Sequence, residues 1–208
     1  MMPPAPRLLL IDFDGVLADV SDTLRNRELA ARLACEPSDL TAALAALARD
    51  RRLAGGNSVH HDDLPGLCAR LSALLQQPVG VDDWLAARLA ATTLRRDCQA
   101  LLRQVSVHTP VAVLTNNPAA MAAPIQSLLD IDALAGRVLT SGALGLRKPD
   151  PACYHAACEN LAADPALTLF IDNLFANVQG ARTAGLMADT AHHGQSLRKV
   201  LKRFHLLR

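Results

Sequence analysis

The sequence predicts an α/β fold, in which a parallel β-sheet lies between layers of helices and a helical segment is inserted after the first strand. Three short, largely apolar runs, at residues 8–11, 111–114 and 167–171, have the length of strands that are buried on both faces. Segments rich in Ala and Leu, typical of helices, separate these runs. Polar or acidic residues follow each run directly, and open parallel sheets bind ligands at the carboxyl ends of their strands.

The composition is that of an ordinary globular protein. Half of the 208 residues are hydrophobic but only 3% are aromatic, which favours packed helices over a β-sandwich. The formal net charge of +1, with acids and bases interspersed, gives no reason to expect nucleic acid or a membrane as a partner. The five cysteines are scattered and form no Cys-x-x-Cys pair. We therefore expect reduced thiols and a cytoplasmic location.

The first apolar run ends in the motif DFDG. Asp12 and Asp14 leave the predicted strand two residues apart, and Gly15 lets the backbone turn sharply behind them. Carboxylates at the end of a buried strand cost stability unless another group compensates for their charge. This motif is therefore the first candidate for a functional site.

The segment from residue 21 to residue 97 shows no strand pattern and is predicted to form four helices. Each helix begins at a side chain that can accept hydrogen bonds from the first turn. These side chains are Ser21 or Asp22, Ser38, Asp62 or Asp63 (with Pro65 in the first turn), and Asp82. Pro37, the Gly55-Gly56-Asn57 turn and residues 77–80 separate the helices. We assign residues 18–94 to a helical domain, and residues 1–17 with 95–208 to a core domain.

Helices and strands alternate in the rest of the chain. We predict helices at 95–104, 118–130, 151–161, 173–185 and 195–204, and strands at 111–114, 137–140, 167–171 and 186–189. A glycine-bearing loop, residues 141–148, carries Lys148. Alternation of this kind implies right-handed βαβ units and a three-layer, Rossmann-like core.

Polar side chains from four separate segments are expected to meet at one edge of this sheet. They are Asp12 with Asp14, Thr115 with Asn116, Lys148, and Asp172 with Asn173. Carboxylates bind Mg²⁺, which neutralises the charge of a phosphate group. The hydroxyl, the amides and the ammonium are suited to phosphoryl oxygens. The sequence therefore predicts a site for a hard cation and a phosphoryl group.

Four stretches, LLLIDFDGVLAD, VAVLTNN, GLRKPDP and LFIDNLFANVQGARTAGL, resemble in this order the four motifs of the haloacid dehalogenase-like hydrolase superfamily. The match spans residues 8–187. The helical insertion resembles the helical cap (subfamily I) of that superfamily, which lies between the first two motifs. Within it, GGNSVHHDDLPGLCARL resembles the cap of the subgroup that includes the N-terminal phosphatase domain of soluble epoxide hydrolase.

The resemblance implies different roles for the two acids of the DFDG motif. Asp12 is the expected nucleophile, which takes the phosphoryl group as an aspartyl-phosphate. Asp14 is expected to protonate the leaving alcohol and then to activate water. The dehalogenases of the same superfamily do not carry an acid at the position of Asp14, so its presence favours a phosphatase.

The resemblance also implies which residues hold the phosphate and the metal. The Thr115 hydroxyl, the Asn116 N–H and Gly15 are the expected phosphate-binding groups, and Lys148 is expected to neutralise charge on Asp12 and on the phosphoryl oxygens. The expected Mg²⁺ ligands are Asp12, the backbone carbonyl of Asp14, Asp172 and, through a water molecule, Asn173. The family most often has a second acid where this chain has Asn173. The loss of that charge is expected to lower Mg²⁺ affinity unless another group compensates.

We therefore expect a Mg²⁺-dependent phosphatase that hydrolyses a small phosphorylated metabolite, as a monomer or homodimer. One alternative is a phosphosugar mutase, although mutases of this kind carry a His on the first cap helix and here no His precedes His60. A second alternative is a binding module that keeps the fold. The roles of His60, His61 and Trp84 stay open: the His pair is more typical of a solvated loop than of a zinc site, and Trp84 is more typical of the core of the cap.

Overall fold

The computed structural model describes residues 5–53, 63–134 and 137–207. The chain divides into two compact units, one formed by Met1–Asp19 with Leu94–Arg208 and the other by Val20–Thr93. Residues 54–62, which include the expected Gly55-Gly56-Asn57 turn, His60 and His61, lie outside the described part. None of the described helices combines the length and the apolar character that a membrane span requires.

The larger unit is built on a parallel β-sheet. The described strands are β1 (Leu8–Ile11), β2 (Ala18–Val20), β3 (Thr92–Leu94), β4 (Val111–Thr115), β5 (Val138–Thr140), β6 (Thr168–Asp172) and β7 (Met187–Thr190). Five of them form the sheet, in the order β5-β4-β1-β6-β7, and all of its neighbouring pairs are parallel. The central strand β1 is therefore paired on both sides, and the strand order reverses next to it. This is the Rossmann-like α/β core that the sequence predicts.

The described helices precede or follow these strands along the chain. They are α1 (Asp22–Leu33), α2 (Pro37–Leu53), α3 (Leu64–Leu75), α4 (Val81–Ala90), α5 (Arg96–Ser106), α6 (Ala122–Leu129), α7 (Ser141–Leu144), α8 (Pro151–Asn160), α9 (Phe175–Thr183) and α10 (Gly194–Arg203). The smaller unit consists of α1 to α4, in which α1 packs against α2 and α4, and α3 packs against the same two helices. Trp84 of α4 is buried, as expected for a core residue.

The core of the larger unit lies on the faces of the sheet. Successive residues of a strand point to opposite faces. Leu8 and Leu10 accordingly pack in a cluster with side chains of α8 and α9. In this cluster the rings of Tyr154 and Phe170 meet edge to face, with their centroids 5.2 Å apart. Helix α5 packs against β4 and α10, and α10 also contacts β7. Helices thus flank the sheet and leave the ends of its strands as the place for polar groups.

The structure contains two short strands that the sequence does not predict, β3 within the segment expected to be helical and β2 just before that segment. Strands β2 and β3 pair with each other in a two-stranded sheet of their own. Thr92 and Thr93 were expected to continue α4, which instead ends at Ala90. Both are β-branched, and such residues lose side-chain freedom in a helix. Their partner strand lies about 70 residues earlier in the chain, so no local pattern reveals the pairing.

Several element boundaries also differ from the prediction. Pro37 begins α2 instead of separating two helices, because a proline in the first turn lacks an N–H that would have no partner there. Helix α4 begins after Gly80, not at Asp82. The segment after Pro118 first forms a 3-10 turn, Ala119–Met121. Part of the expected loop 141–148 is α7, for which the Thr140 side chain is the N-cap.

Other local predictions are confirmed. Ser21 is the N-cap of α1, and its Oγ accepts a hydrogen bond from the N–H of Leu24. Asp63 is the N-cap of α3 in the same way, with Oδ1 3.0 Å from the N–H nitrogen of Gly66. All five cysteines are free thiols. The two caps depend on residues three positions apart in the chain, which is why the sequence reveals them.

Candidate active site

Strand β1 places Asp12 at the carboxyl edge of the sheet. The Asp12 N–H donates to the carbonyl oxygen of Ile171 at 2.8 Å, which continues the pairing of β1 with β6 past the end of the strand. The Asp12 side chain accepts a hydrogen bond from the N–H of Phe13 at 2.7 Å. Only 5% of Asp12 is exposed. The backbone therefore holds this carboxylate at the point where the central strand ends.

Gly15 turns the chain behind the two acids in a backbone conformation that other residues rarely adopt. Its φ is +81°, a value that favours glycine. A Cβ atom at this position would lie 2.3 Å from the end of the Asn173 carboxamide, which would have to move. The N–H of Gly15 donates to the carbonyl oxygen of Ala18 at 2.7 Å. The N–H of Gly15, which is predicted to be a phosphate-binding residue, is thus engaged inside the chain, and Gly15 contributes the turn.

A buried ammonium joins two buried carboxylates at the centre of the site. Lys148 Nζ lies 2.9 Å from Asp12 Oδ1 and 2.7 Å from Asp172 Oδ2. The side chain of Lys148 is 1% exposed, and that of Asp172 is fully buried. Burial by itself lowers the pKa of Lys148, but the charges of Asp12 and Asp172 outweigh it, and the pKa lies above its usual value. Lys148 is therefore a fixed positive charge in this site.

The same environment acts in the opposite direction on the nucleophile candidate. Burial raises the pKa of Asp12, the charge of Lys148 opposes this rise, and the charge of Asp172 adds to it. The two carboxylates and one ammonium sum to one net negative charge in a buried place. A further positive charge at this site would favour the ionised form of Asp12.

Asp172, the last residue of β6, is held by the first turn of α9. Its Oδ1 accepts a hydrogen bond from the N–H of Leu174 at 2.8 Å. Its Oδ2 accepts a second one from Nδ2 of Asn177 at 2.9 Å. The Tyr154 hydroxyl donates to the Asn177 carbonyl oxygen at 2.6 Å. The sequence prediction did not include Asn177 or Tyr154; the one available signal is a polar residue one helical turn past Asp172.

The residues at the end of β4 reach two different parts of the site. Asn117 Nδ2 donates to Thr115 Oγ1 at 2.7 Å and to Asp14 Oδ2 at 2.8 Å. The Asn116 carboxamide instead pairs with the backbone of Lys148: its Nδ2 donates to the Lys148 carbonyl and its Oδ1 accepts from the Lys148 N–H, both at 3.0 Å. The side chain of Asn116 therefore positions the loop that carries Lys148. The sequence predicted a role only for the backbone N–H of Asn116, as a donor to phosphate.

Asn173 lies between the two oxygens that are expected to bind the metal. With its amide nitrogen facing them, it donates to the Asp14 carbonyl and to Asp172 Oδ1, both at 3.2 Å. Seven of the predicted site residues contact at least one other member of the set: Asp12, Lys148, Asp172, Asn116, Asp14, Asn173 and Gly15. The eighth, Thr115, is linked to Asp14 through Asn117, a residue outside the predicted set.

The chemistry of these atoms fits a hard divalent cation. Asp12, Asp172, the Asp14 carbonyl and the Asn173 carboxamide offer oxygen atoms, which Mg²⁺ prefers. The net negative charge of the buried carboxylates and ammonium agrees with this. In the described part of the chain, no three His, Cys, Asp or Glu side chains are grouped to hold a metal. A cation here would therefore depend on a backbone carbonyl and an amide as well as on carboxylates.

Arg95 ties the DFDG turn to two distant segments and was not predicted. Its Nε and Nη2 form a bidentate pair with Asp19, at 2.9 Å and 2.6 Å. Its Nη1 donates to the carbonyl of Gly15 at 2.7 Å and also to the carbonyl of His192. Gly15 and Arg95 lie 80 positions apart, so the sequence carries no local signal for this contact.

Comparison with known proteins places this chain in a family. A family model described as haloacid dehalogenase-like hydrolase matches residues 6–185. Phosphatase MT3486 of Mycobacterium tuberculosis is 42% identical over 81 residues, which are 38% of this chain and 36% of that protein. The chain thus matches about a third of the length of this curated relative.

Solved structures resemble the fold over nearly the whole chain. A HAD family enzyme of Bacteroides thetaiotaomicron, in complex with magnesium and inorganic phosphate, is 17% identical with a TM-score of 0.70, covering 94% of this chain and 98% of that one. A 2-haloacid dehalogenase of Pseudomonas syringae pv. Tomato DC3000 is 22% identical with a TM-score of 0.71, covering 96% and 99%. At sequence identities this low, the similarity to these structures supports the fold alone. Because the family model covers most of the sequence, the chain belongs to the haloacid dehalogenase-like hydrolases.

Proposed function

We propose that this protein is a Mg²⁺-dependent phosphatase that hydrolyses a small phosphorylated metabolite through an aspartyl-phosphate on Asp12. The observation that carries the proposal is Asp14, a second carboxyl group two residues after Asp12, hydrogen-bonded to Asn117 in the same site. Transfer of a phosphoryl group from an alcohol needs an acid for the leaving oxygen, whereas displacement of a halide does not. The names of one relative, a phosphatase, and of one similar structure, a complex with magnesium and phosphate, agree with this choice.

In the first step the Asp12 carboxylate attacks phosphorus. An Asp12 O–P bond forms, the bond from phosphorus to the alcohol oxygen breaks, and Asp14 gives its proton to that oxygen. In the second step Asp14 takes a proton from water, the water oxygen bonds to phosphorus, and the Asp12 O–P bond breaks. Lys148 stabilises the negative charge throughout, since its Nζ is already 2.9 Å from Asp12.

The remaining residues hold the substrate and the cation. Thr115 Oγ1 accepts a hydrogen bond from Asn117 and directs its own proton to a phosphoryl oxygen, beside the N–H of Asn116. Asp12, the Asp14 carbonyl and Asp172 would hold Mg²⁺, with Asn173 acting through a water molecule. Bound there, the cation supplies neutralisation of phosphate charge.

The replacement Asp12→Asn tests the nucleophile. We expect hydrolysis of p-nitrophenyl phosphate in Mg²⁺ to fall to the background rate, because the amide cannot form the covalent intermediate. Circular dichroism checks that the variant is folded. The matched control is Asp130→Asn, at an exposed position with a φ of 47° that Asn tolerates well; its activity is expected to equal that of the wild type. Unchanged turnover in Asp12→Asn would contradict the mechanism.

A panel of phosphorylated metabolites tests the reaction class. It includes sugar phosphates, nucleotides and short-chain alcohol phosphates, together with 2-haloacids assayed for halide release. We expect phosphate release from at least one phosphomonoester and no halide release, because Asp14 serves a leaving alcohol. Isomerisation of a sugar phosphate without phosphate release would favour the mutase alternative. A folded protein that turns over nothing in the panel would favour a binding module.

A further inference from the structure

We propose that Asn117 is the positioning residue for Asp14, and that it fixes the orientation of this carboxyl group for proton transfer to the leaving oxygen. The inference rests on the proposed phosphatase function. Asn117 Nδ2 lies 2.8 Å from Asp14 Oδ2 and 2.7 Å from Thr115 Oγ1. An amide nitrogen has two hydrogens, so one is directed at each oxygen. One buried side chain thus links the acid to a phosphate-binding hydroxyl.

The backbone of Asn117 is itself anchored. Its carbonyl oxygen accepts hydrogen bonds from the N–H of Gly142 at 3.1 Å and from the Ser141 hydroxyl at 3.3 Å. Both donors belong to α7, so the residue is held between the end of β4 and a helix. Asn117 is only 5% exposed. Because its backbone is anchored and its side chain is buried, Asn117 can limit the rotation of the carboxyl group that it contacts.

Asp14 needs such a restriction because of its location. It sits on the turn that follows the central strand, and Asp12 two residues earlier is more deeply buried. A general acid must lie within hydrogen-bond distance of the leaving oxygen at the moment of transfer. The bond from Asn117 removes rotational freedom from the Asp14 carboxyl group before substrate binds. The contribution of Asn117 to catalysis is therefore realised only when the leaving group needs a proton.

This dependence on the leaving group separates positioning from a general structural role. Nitrophenolate is a good leaving group and departs readily without protonation. Phenolate needs a proton more, and an alkoxide needs it most. We expect Asn117→Ala to lower kcat/KM for an alkyl phosphate by roughly 10²-fold or more, and to lower it far less for p-nitrophenyl phosphate. The ratio kcat/KM is the correct readout because it includes the departure of the leaving group but not the later hydrolysis of the aspartyl-phosphate.

Four further variants complete the test. Asp14→Asn should show the same selective loss, and the double variant Asp14→Asn with Asn117→Ala should lose little more, because residues that act as a unit are not additive. Asn117→Asp keeps the shape of the side chain but removes the N–H donor, so it should show the selective loss even if the alanine variant does not fold. Asn160→Ala, which removes an exposed amide on α8, is the control and should leave kcat/KM unchanged for every substrate.

The outcomes distinguish this inference from the proposed function. A selective loss and a non-additive double variant support the role of Asn117. An equal loss with every leaving group, or additive effects in the double variant, overturns that role while the phosphatase function stands. Wild-type protein that hydrolyses no phosphomonoester overturns both.

Discussion

The three residues from the end of β4 onward make different contacts in the candidate site. Thr115 Oγ1 accepts a hydrogen bond from Asn117, Asn116 pairs with the backbone of Lys148, and Asn117 also reaches Asp14. Successive residues of extended backbone point in different directions. The two adjacent asparagines therefore bind two separate groups, Lys148 and Asp14, and neither could replace the other.

Asn173 is a further residue whose type matters. Its neutral carboxamide faces the Asp14 carbonyl and Asp172 Oδ1 at 3.2 Å. A carboxylate at the same place would repel both oxygens unless a cation lay among them. The amide therefore stabilises the site when no metal is bound, and it would contribute less than an acid to holding the proposed Mg²⁺.

The replacement Asn173→Asp is expected to tighten Mg²⁺ binding by about tenfold, which corresponds to about 1.4 kcal/mol. The reason is one added negative charge beside two expected ligands. Titration calorimetry with MgCl₂ alone measures the affinity without any assay of turnover. Asn160→Asp, which adds the same charge on the exposed end of α8, is expected to leave the affinity unchanged. Equal or weaker binding in Asn173→Asp would show that this residue does not limit the metal.

At the scale of elements, the loop that carries Lys148 is held by its neighbours on both sides. The Asn116 carboxamide binds the backbone of Lys148 from β4. Gly180 of α9 lies so close to the next residue in the loop that an added Cβ would be 2.0 Å from the Pro149 carbonyl oxygen. The close approach of α9 thus sets the position of the loop, and Lys148 reaches the buried carboxylates because the loop is held there.

The replacement Gly180→Ala is therefore expected to destabilise the protein, although alanine at an open helical position gains about 1 kcal/mol over glycine. The new methyl group meets a backbone oxygen, which cannot move as the tip of a side chain can. Urea unfolding measures the change in the free energy of unfolding. Gln179→Ala, on the exposed face of the same helix, is the matched control and should leave stability almost unchanged. A stability gain in Gly180→Ala would mean that α9 can shift away from the loop at little cost.

At the scale of the whole molecule, Arg95 joins segments that are far apart in the sequence. Its guanidinium group contacts Asp19, the Gly15 carbonyl and the His192 carbonyl. Asp19 ends one chain segment of the larger unit, and Leu94, next to Arg95, begins the next. The pair therefore joins the two chain segments of the larger unit, close to the turn that carries Asp14.

The ion pair of Asp19 and Arg95 makes a small contribution to stability that depends on pH. The hydrogen bonds from Arg95 hold the pKa of Asp19 below its usual value. In the unfolded chain the pKa of an Asp is about 3.9. The contribution is therefore complete above that pH and is lost as the pH falls through the lower folded value. Because the Asp19 side chain is 59% exposed, we expect no more than about 1 kcal/mol.

The replacement Asp19→Asn measures this contribution. Urea unfolding at neutral pH should show the variant to be less stable than the wild type, and the difference should disappear well below pH 4. In an Arg95→Gln background, Asp19→Asn should have no effect at either pH. A difference that persists in acid would assign the effect to packing and not to charge.

The sequence by itself determined where the polar groups of the site begin. Asp12, Thr115 and Asp172 each follow or end an apolar run, and the alternation of strands and helices placed those ends at one edge of a parallel sheet. These features are local, because strand burial and helix starts depend on residues a few positions apart. The fold class and the strand ends that supply the candidate site could therefore be predicted, whereas Asn117 and Asn177 could not.

Only the tertiary structure decided what those residues contact. The bonds of Asn117 to Asp14, of Asn116 to Lys148 and of Arg95 to Asp19 join positions 103, 32 and 76 residues apart. Strands β2 and β3, which pair with each other, are also far apart in the sequence. Such contacts depend on how packed elements direct individual side chains, and residue type and spacing carry no information on that. The positions of the site residues thus follow from local pattern, whereas their partners follow from the packing of the whole sheet and its helices.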